Sequence, residues 1–207
     1  MDPKIEWLGH DTFRLIGEKT VYIDPVKISN ARHDADVVLI THDHFDHYVP
    51  EDLAKVRNDN TLVVAPEMFR GKLEGNVVYT SAGESLNCHQ VPVEVVKAYN
   101  LHPDRQNFHP AHYGGVGYIV TLNGKRIYHT GDTDAIPEMR DIKADIMLVP
   151  VSGTYVCTAD EAVQAVEMVK PKLAIPMHWD DIVGSWEDAN KFKEQVSVPV
   201  EILGKTS

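Results

Sequence analysis

Cysteine is scarce: Cys88 and Cys157 are the only two in 207 residues, and they lie too far apart to suggest a disulfide framework or a thiolate metal site. They read as free, buried thiols in a reducing, cytoplasmic setting. No apolar run is long enough to span a bilayer, which predicts no membrane insertion. The opening residues Met1-Asp2-Pro3-Lys4-Ile5-Glu6 are charged where a secretion signal would be apolar. Positive charge is also short, with 20 basic residues against 31 acidic ones, and a net charge of -11 makes nucleic acid an unfavourable partner. Internal linkers, low-complexity tracts and short repeats are missing, so a single domain over 1–207 is expected. At 43% hydrophobic and 25% charged residues, a domain of that size buries a core unaided. A metal in such a chain would serve chemistry rather than folding.

What is present is a series of short strand-like runs. Residues 4–8, 12–16 and 20–23 are rich in Ile, Val, Trp, Phe and Tyr, and the turn-like Gly9-His10-Asp11 and Gly17-Glu18-Lys19 between them predict an antiparallel meander. The β-branched run 37–41 reads as a buried strand that ends in His42-Asp43-His44-Phe45-Asp46-His47-Tyr48. A helix from Pro50, a buried strand at 62–65 and a helical turn at 67–70 follow, then strands at 77–79, 84–88 and 91–98. Asn123-Gly124 predicts a hairpin between 116–122 and 126–129. Beyond a core strand at 145–150, Thr158 and Glu161 form a capping box for a helix that Pro171 ends. A strand at 172–177, a helix at 185–196 and an edge strand at 198–203 complete the chain.

Three of these strands end in metal-ligand residues: His42, His44, Asp46 and His47 after the first, Asp132 after the second, His178 after the third. Imidazole with carboxylate and no thiolate suits zinc, iron or manganese. The set exceeds what one tetrahedral ion uses and suits two ions that share a carboxylate. The loop 100–114 has no periodicity and carries His102, His109 and His112, the mark of a functional loop.

These motifs resemble the metallo-β-lactamase superfamily, whose H-x-H-x-D-H signature stands here as His42-Asp43-His44-Phe45-Asp46-His47. Gly9-His10 and Ile23-Asp24-Pro25 before it, and Tyr128-His129-Thr130-Gly131-Asp132-Thr133 and Ile175-Pro176-Met177-His178 after it, follow in the same order. The resemblance implies an α/β (α+β) fold, a four-layer αββα sandwich with metals at one edge between the sheets. It implies that His42 and His44 bind a first metal, that Asp46, His47 and His178 bind a second, and that Asp132 bridges them. Among branches, the chain is most similar to ascorbate-6-phosphate lactonase-like proteins, whose third histidine follows a strand ending in a small and an aromatic residue. Here that strand ends Ala98-Tyr99-Asn100, so the ligand is expected from the loop, with His109 chosen over His102 and His112.

The implied activity is that of a hydrolase with two divalent ions, zinc first and manganese or iron as alternatives. Its substrate would be a small-molecule ester, lactone or amide, with Asp46 and Asp132 as catalytic carboxylates. Asp24 either orients a ligating histidine or closes a turn, and His129 either supports the ligands or packs in its strand. Tyr155, Trp179, Phe45 and Tyr48 are candidates for a substrate pocket, and Arg105 is an anion holder or a solvated loop residue. A phosphodiesterase or nuclease would call for a basic insertion, which this acidic chain lacks. A di-iron redox enzyme resembles H-x-E-x-D in the first motif, and His44 stands where that glutamate would be. A non-catalytic scaffold on the same fold would be marked by lost ligands. Exposed edge strands allow a homo-oligomer.

Overall fold

Alternation along the short strands decides the layering. In β3 (Thr20–Ile23) and β4 (Val37–Leu39), Val21, Ile23, Val37 and Leu39 turn into one core cluster while Tyr22 and Val38 turn into another. A period of two with both sets buried means a sheet covered on both faces. In the computed structural model, which describes residues 1–206, that sheet runs β1 (Lys4–Gly9), β2 (Thr12–Ile16), β3, β4, β5 (Leu62–Pro66), β6 (Val77–Thr80). The expected meander of β1 to β3 is antiparallel, and β3 to β6 are parallel. The short helix α1 (Pro50–Val56) covers the outer face through Leu53 and Val56.

The second sheet follows in the order β12, β11, β10, β9, β8, β7. It comprises β7 (Ser85–Cys88), β8 (Val91–Lys97), β9 (Val116–Leu122), β10 (Lys125–His129), β11 (Ile146–Pro150) and β12 (Leu173–Met177). β9 and β10 form the predicted hairpin, with Asn123 and Gly124 at φ 49° and 73° as its tight turn demands. Helices α2 (Ala159–Val169) and α3 (Trp186–Gln195) cover this sheet through Ala162, Ala165, Val166, Ala189 and Phe192. Thr158 and Glu161 make the reciprocal capping box. The inner faces of both sheets share one core, giving the αββα order.

One expected element is corrected. Residues 198–203 do not form an edge strand; they make a single bridge, Val200 to Ala174. Ala174 N–H donates to Pro199 O and Glu201 N–H to Ala174 O, and the next rung would need an N–H from residue 176, which is a proline. Among the described residues no helix is long and apolar enough to cross a membrane.

Candidate metal centre

Parallel strands put their carboxyl ends on one side, and both sheets have a parallel half: β3 to β6 and β10 to β12. The segments after β4, β10 and β12 therefore meet at one edge of the sandwich, joined by the β1–β2 turn and the loop after β8. Three site residues hold left-handed backbone there, His10 at φ 50°, Asp24 at 45° and His178 at 59°. Non-glycine residues adopt that region at a cost and concentrate in it at functional sites.

The structure brings the sequence-predicted set together. Ligand atoms of His42, His44 and His109 lie within 4.8 Å of one another, and those of Asp46, His47 and His178 form a second group that also takes in His10. Asp132 stands between the two. Its Oδ2 is 3.3 Å from His109 Nε2 and 3.3 Å from His178 Nε2, and its Oδ1 is 3.3 Å from His47 Nε2. His102 and His112 are exposed and take no part in these groups.

Partners behind the imidazoles fix their tautomers. Thr41 Oγ1 donates to Asp24 Oδ2 at 2.6 Å, so it accepts from His42 Nδ1 at 3.0 Å. His47 Nδ1 donates to Asp24 Oδ2 at 2.7 Å. Ser152 Oγ donates to Thr154 O and accepts from His178 Nδ1 at 2.9 Å. His109 Nδ1 donates to Asn100 Oδ1 at 2.9 Å. Each ring carries its hydrogen on Nδ1 and turns Nε2 toward Asp132, which is how a carboxylate or hydroxyl behind a histidine prepares it for a metal.

Electrostatics point the same way. Burial lowers His42, His109 and His10, keeping those imidazoles neutral with free lone pairs. Burial would also lower His47, but the Asp132 and Asp24 carboxylates overcome it and raise His47 well above the ordinary value. The carboxylate field that raises His47 is also the field that draws a cation. Burial raises Asp132, yet His47 and His178 outweigh it and hold its carboxyl far below the usual range. Asp46 is likewise brought down to about 2, burial being outweighed by the hydrogen bond from His10. His42 Nε2, His47 Nε2, His178 Nε2, Asp132 Oδ1 and both Asp11 oxygens are buried without a hydrogen-bond partner. Orphaned polar atoms in such number are costly unless a cation meets them, and the donor chemistry fits two divalent ions.

Several contributors were not among the sequence candidates. His10 and Asp11 read as a turn, and His-Asp directly after a strand was the available signal. Asn100 marks the expected histidine position and instead holds the substitute, accepting from both the backbone N–H (3.1 Å) and Nδ1 of His109. Asp134 pins the same loop: it accepts from the N–H groups of Leu101 and His102 at 2.8 Å and from Arg105 Nε at 3.1 Å. Arg105 is buried in ion pairs with Asp134 and Glu161, so it is a strut and not an anion holder.

Asp24 orients His47, as one of its two readings required, while also binding the Thr41 N–H at 2.7 Å. His129 lies behind the cluster. It accepts from Gly131 N–H and donates to Asp11 O, bracing two of the loops. A cavity of about 470 Å³ opens over the cluster, walled by Phe45, Phe108, Tyr155 and Ile182 with His44, Asp46, His109 and Asp132 beneath. Phe108 and Tyr155 meet edge to face at 4.6 Å. Two aromatic candidates lie elsewhere: Trp179 is buried, stacked on Trp7 at 4.7 Å, and Tyr48 packs on Phe69.

Residues 4–178 match the family model described as β-lactamase superfamily domain. The chain is 34% identical to a UPF0173 metal-dependent hydrolase of Korarchaeum cryptofilum, over 97% of this chain and 95% of the relative. It is 32% identical to one of Archaeoglobus fulgidus, over 93% and 90%. A crystal structure from Parabacteroides distasonis superposes with a TM-score of 0.84 at 31% identity, covering 99% of this chain and 94% of that one.

Proposed function

The chain belongs to the β-lactamase superfamily and is a metal-dependent hydrolase; on that premise we propose that its site takes two divalent ions, zinc first, and cleaves a small uncharged ester, lactone or amide. The observation that carries this reading is the arrangement around Asp132. His42, His44 and His109 lie on one side of its carboxylate and Asp46, His47 and His178 on the other, the imidazoles mostly fixed from behind. Bound divalent ions would supply Lewis acidity there, bringing the pKa of a water toward about 7 and polarising the oxygen of the bond to be cleaved.

The remaining work falls to the chain's own residues. Thr41, Asp24, Asn100 and Ser152 hold the rings before substrate arrives, so little reorganisation accompanies reaction. Asp46 lines the cavity and is kept ionised by His10. Its position over the cluster places it to pass a proton from an attacking water to the leaving group. Phe45, Phe108, Tyr155 and Ile182 give the cavity apolar walls that receive the body of the substrate and exclude water. No lysine or arginine among the described residues lines this cavity, which favours an uncharged substrate over a phosphodiester. The net charge of -11 acts in the same sense. Cys88 and Cys157, both buried free thiols, support a reducing, cytoplasmic location.

The test is metal content by mass spectrometry, combined with hydrolysis of a panel of esters, lactones, amides and phosphodiesters before and after chelation. Two ions per chain, and an activity on uncharged substrates that disappears with chelator and returns with zinc, are expected. Hydrolysis that survives complete metal removal, or a preference for phosphodiesters, would sink the reading.

A further inference from the structure

We infer that Asp11 is an additional ligand at the second metal position, making that position rich enough in carboxylate to hold an oxygen-preferring ion such as manganese(II) or iron(II). The inference rests on the two-ion reading above and concerns which ion each position holds.

Asp11 is fully buried, and neither of its carboxylate oxygens has a hydrogen-bond partner. An ionised carboxylate in that state is strongly disfavoured unless a cation compensates it. Its Oδ2 lies 3.7 Å from His47 Nε2, and its ligand atom falls within 4.8 Å of those of His47, Asp132 and His178. The same four side chains leave His47 Nε2, His178 Nε2 and Asp132 Oδ1 without partners, all facing one small volume. A second carboxylate beside Asp132 in a buried cluster adds like-charge repulsion that only a cation or a proton relieves.

The turn is built to hold Asp11 there. Gly9 at φ 116° and His10 at φ 50° carry the backbone round, Trp7 Nε1 donates to His10 O, and His178 N–H donates to the same oxygen. His129 Nε2 donates to Asp11 O from behind. The backbone is braced on both sides of Asp11 while its side chain is left bare toward the cluster.

With Asp11 included, the second position draws on two overlapping groups, Asp46 with His10, His47 and His178, and Asp11 with Asp132, His47 and His178. His10 Nε2 donates to Asp46, which leaves three carboxylates and the imidazoles of His47 and His178 as donors. The first has three imidazoles and a share of Asp132. Zinc in a tetrahedral site takes four protein or water donors and favours nitrogen, whereas carboxylate-rich sites with more donors suit manganese. The first position should therefore discriminate strongly for zinc, and the second much less.

Apoprotein of the wild type, Asp11→Asn and Asp11→Ser would be titrated separately with Zn(II) and with Mn(II), reading affinity by calorimetry and bound Mn(II) by electron paramagnetic resonance. The wild type should hold one Mn(II) per chain, both variants should lose at least tenfold in Mn(II) affinity, and the tightest Zn(II) equivalent should not change. The variants should also melt no lower than the wild type as apoproteins, because a bare buried carboxylate has been removed. Unchanged Mn(II) affinity in the variants would overturn the role of Asp11 alone, and a wild type that binds no ion would overturn the two-ion reading with it. A crystal of wild-type protein soaked in Mn(II) decides the matter independently of variant folding: direct contact between the anomalous peak and an Asp11 oxygen supports the inference, and an intervening water refutes it.

Discussion

Asn100 does for His109 what Asp24 does for His47: it accepts from the ring Nδ1 and leaves Nε2 facing the cluster. Its other contacts, to the His109 N–H, Asp134 Oδ1 and Tyr155 O, hold the loop, and it reaches the cluster itself through that ring, which gives a prediction. Asn100→Ala should weaken zinc at the first position by about 10–100-fold, the usual cost of losing such a partner. Because the effect passes through His109, the Asn100→Ala/His109→Ala double variant should bind zinc no more weakly than His109→Ala alone. Competition against a chromogenic chelator reads all three, and additive losses would count against the coupling. The histidines were legible in the sequence because imidazole and carboxylate alternate directly after an apolar strand. Asn100 and Asp11 were not. A Gly-His-Asp run after a strand is equally a turn signature, and nothing periodic links Asn100 to a ring nine residues on.

At the scale of elements, the loops at strand ends depend on close backbone approach. Gly131 sits at φ 64°, and a Cβ there would meet Val116 O at 2.6 Å. The residue that follows is Asp132, so the tight crossing of this loop over the start of β9 sets where the Asp132 carboxylate stands. Gly131→Ala should cost about 1–3 kcal/mol of stability from the left-handed backbone, with the clash adding to it. It should also reduce bound metal to less than two equivalents. Urea melts and metal analysis on the same sample test this, and a variant of wild-type stability with full metal content would refute it. Strands, helices and the hairpin were legible because apolar runs and turn residues mark each one. The edge strand expected at 198–203 failed at Pro176, whose missing N–H belongs to a different element and is invisible when the segment is read alone. Trp179 was misplaced for a related reason: it follows a ligand-bearing strand, but the chain turns it back onto Trp7, in the opposite sheet.

Across the whole molecule, the candidate centre joins the two sheets. His42, His44, Asp46 and His47 follow β4 of one sheet, and Asp132 and His178 follow β10 and β12 of the other. Ions bound there would favour the folded chain over the unfolded one by about 2.7 kcal/mol per site at a free concentration of 100 times Kd. For a domain of this size that corresponds to a rise in Tm of about 5–10 °C per site. The continuous core between the sheets does not depend on the site, so chelated protein should keep its far-ultraviolet circular dichroism and melt in one cooperative step, only at lower temperature. Scanning calorimetry with and without chelator makes the comparison. Sodium chloride offers a control, because the carboxylates of the candidate centre are buried and poorly screened while the net charge of -11 is carried mostly at the surface. High salt should therefore leave the chelated protein well short of the Tm that zinc restores. Full recovery by salt alone would mean that general charge neutralisation, and not ions held between the sheets, sets the stability of this fold.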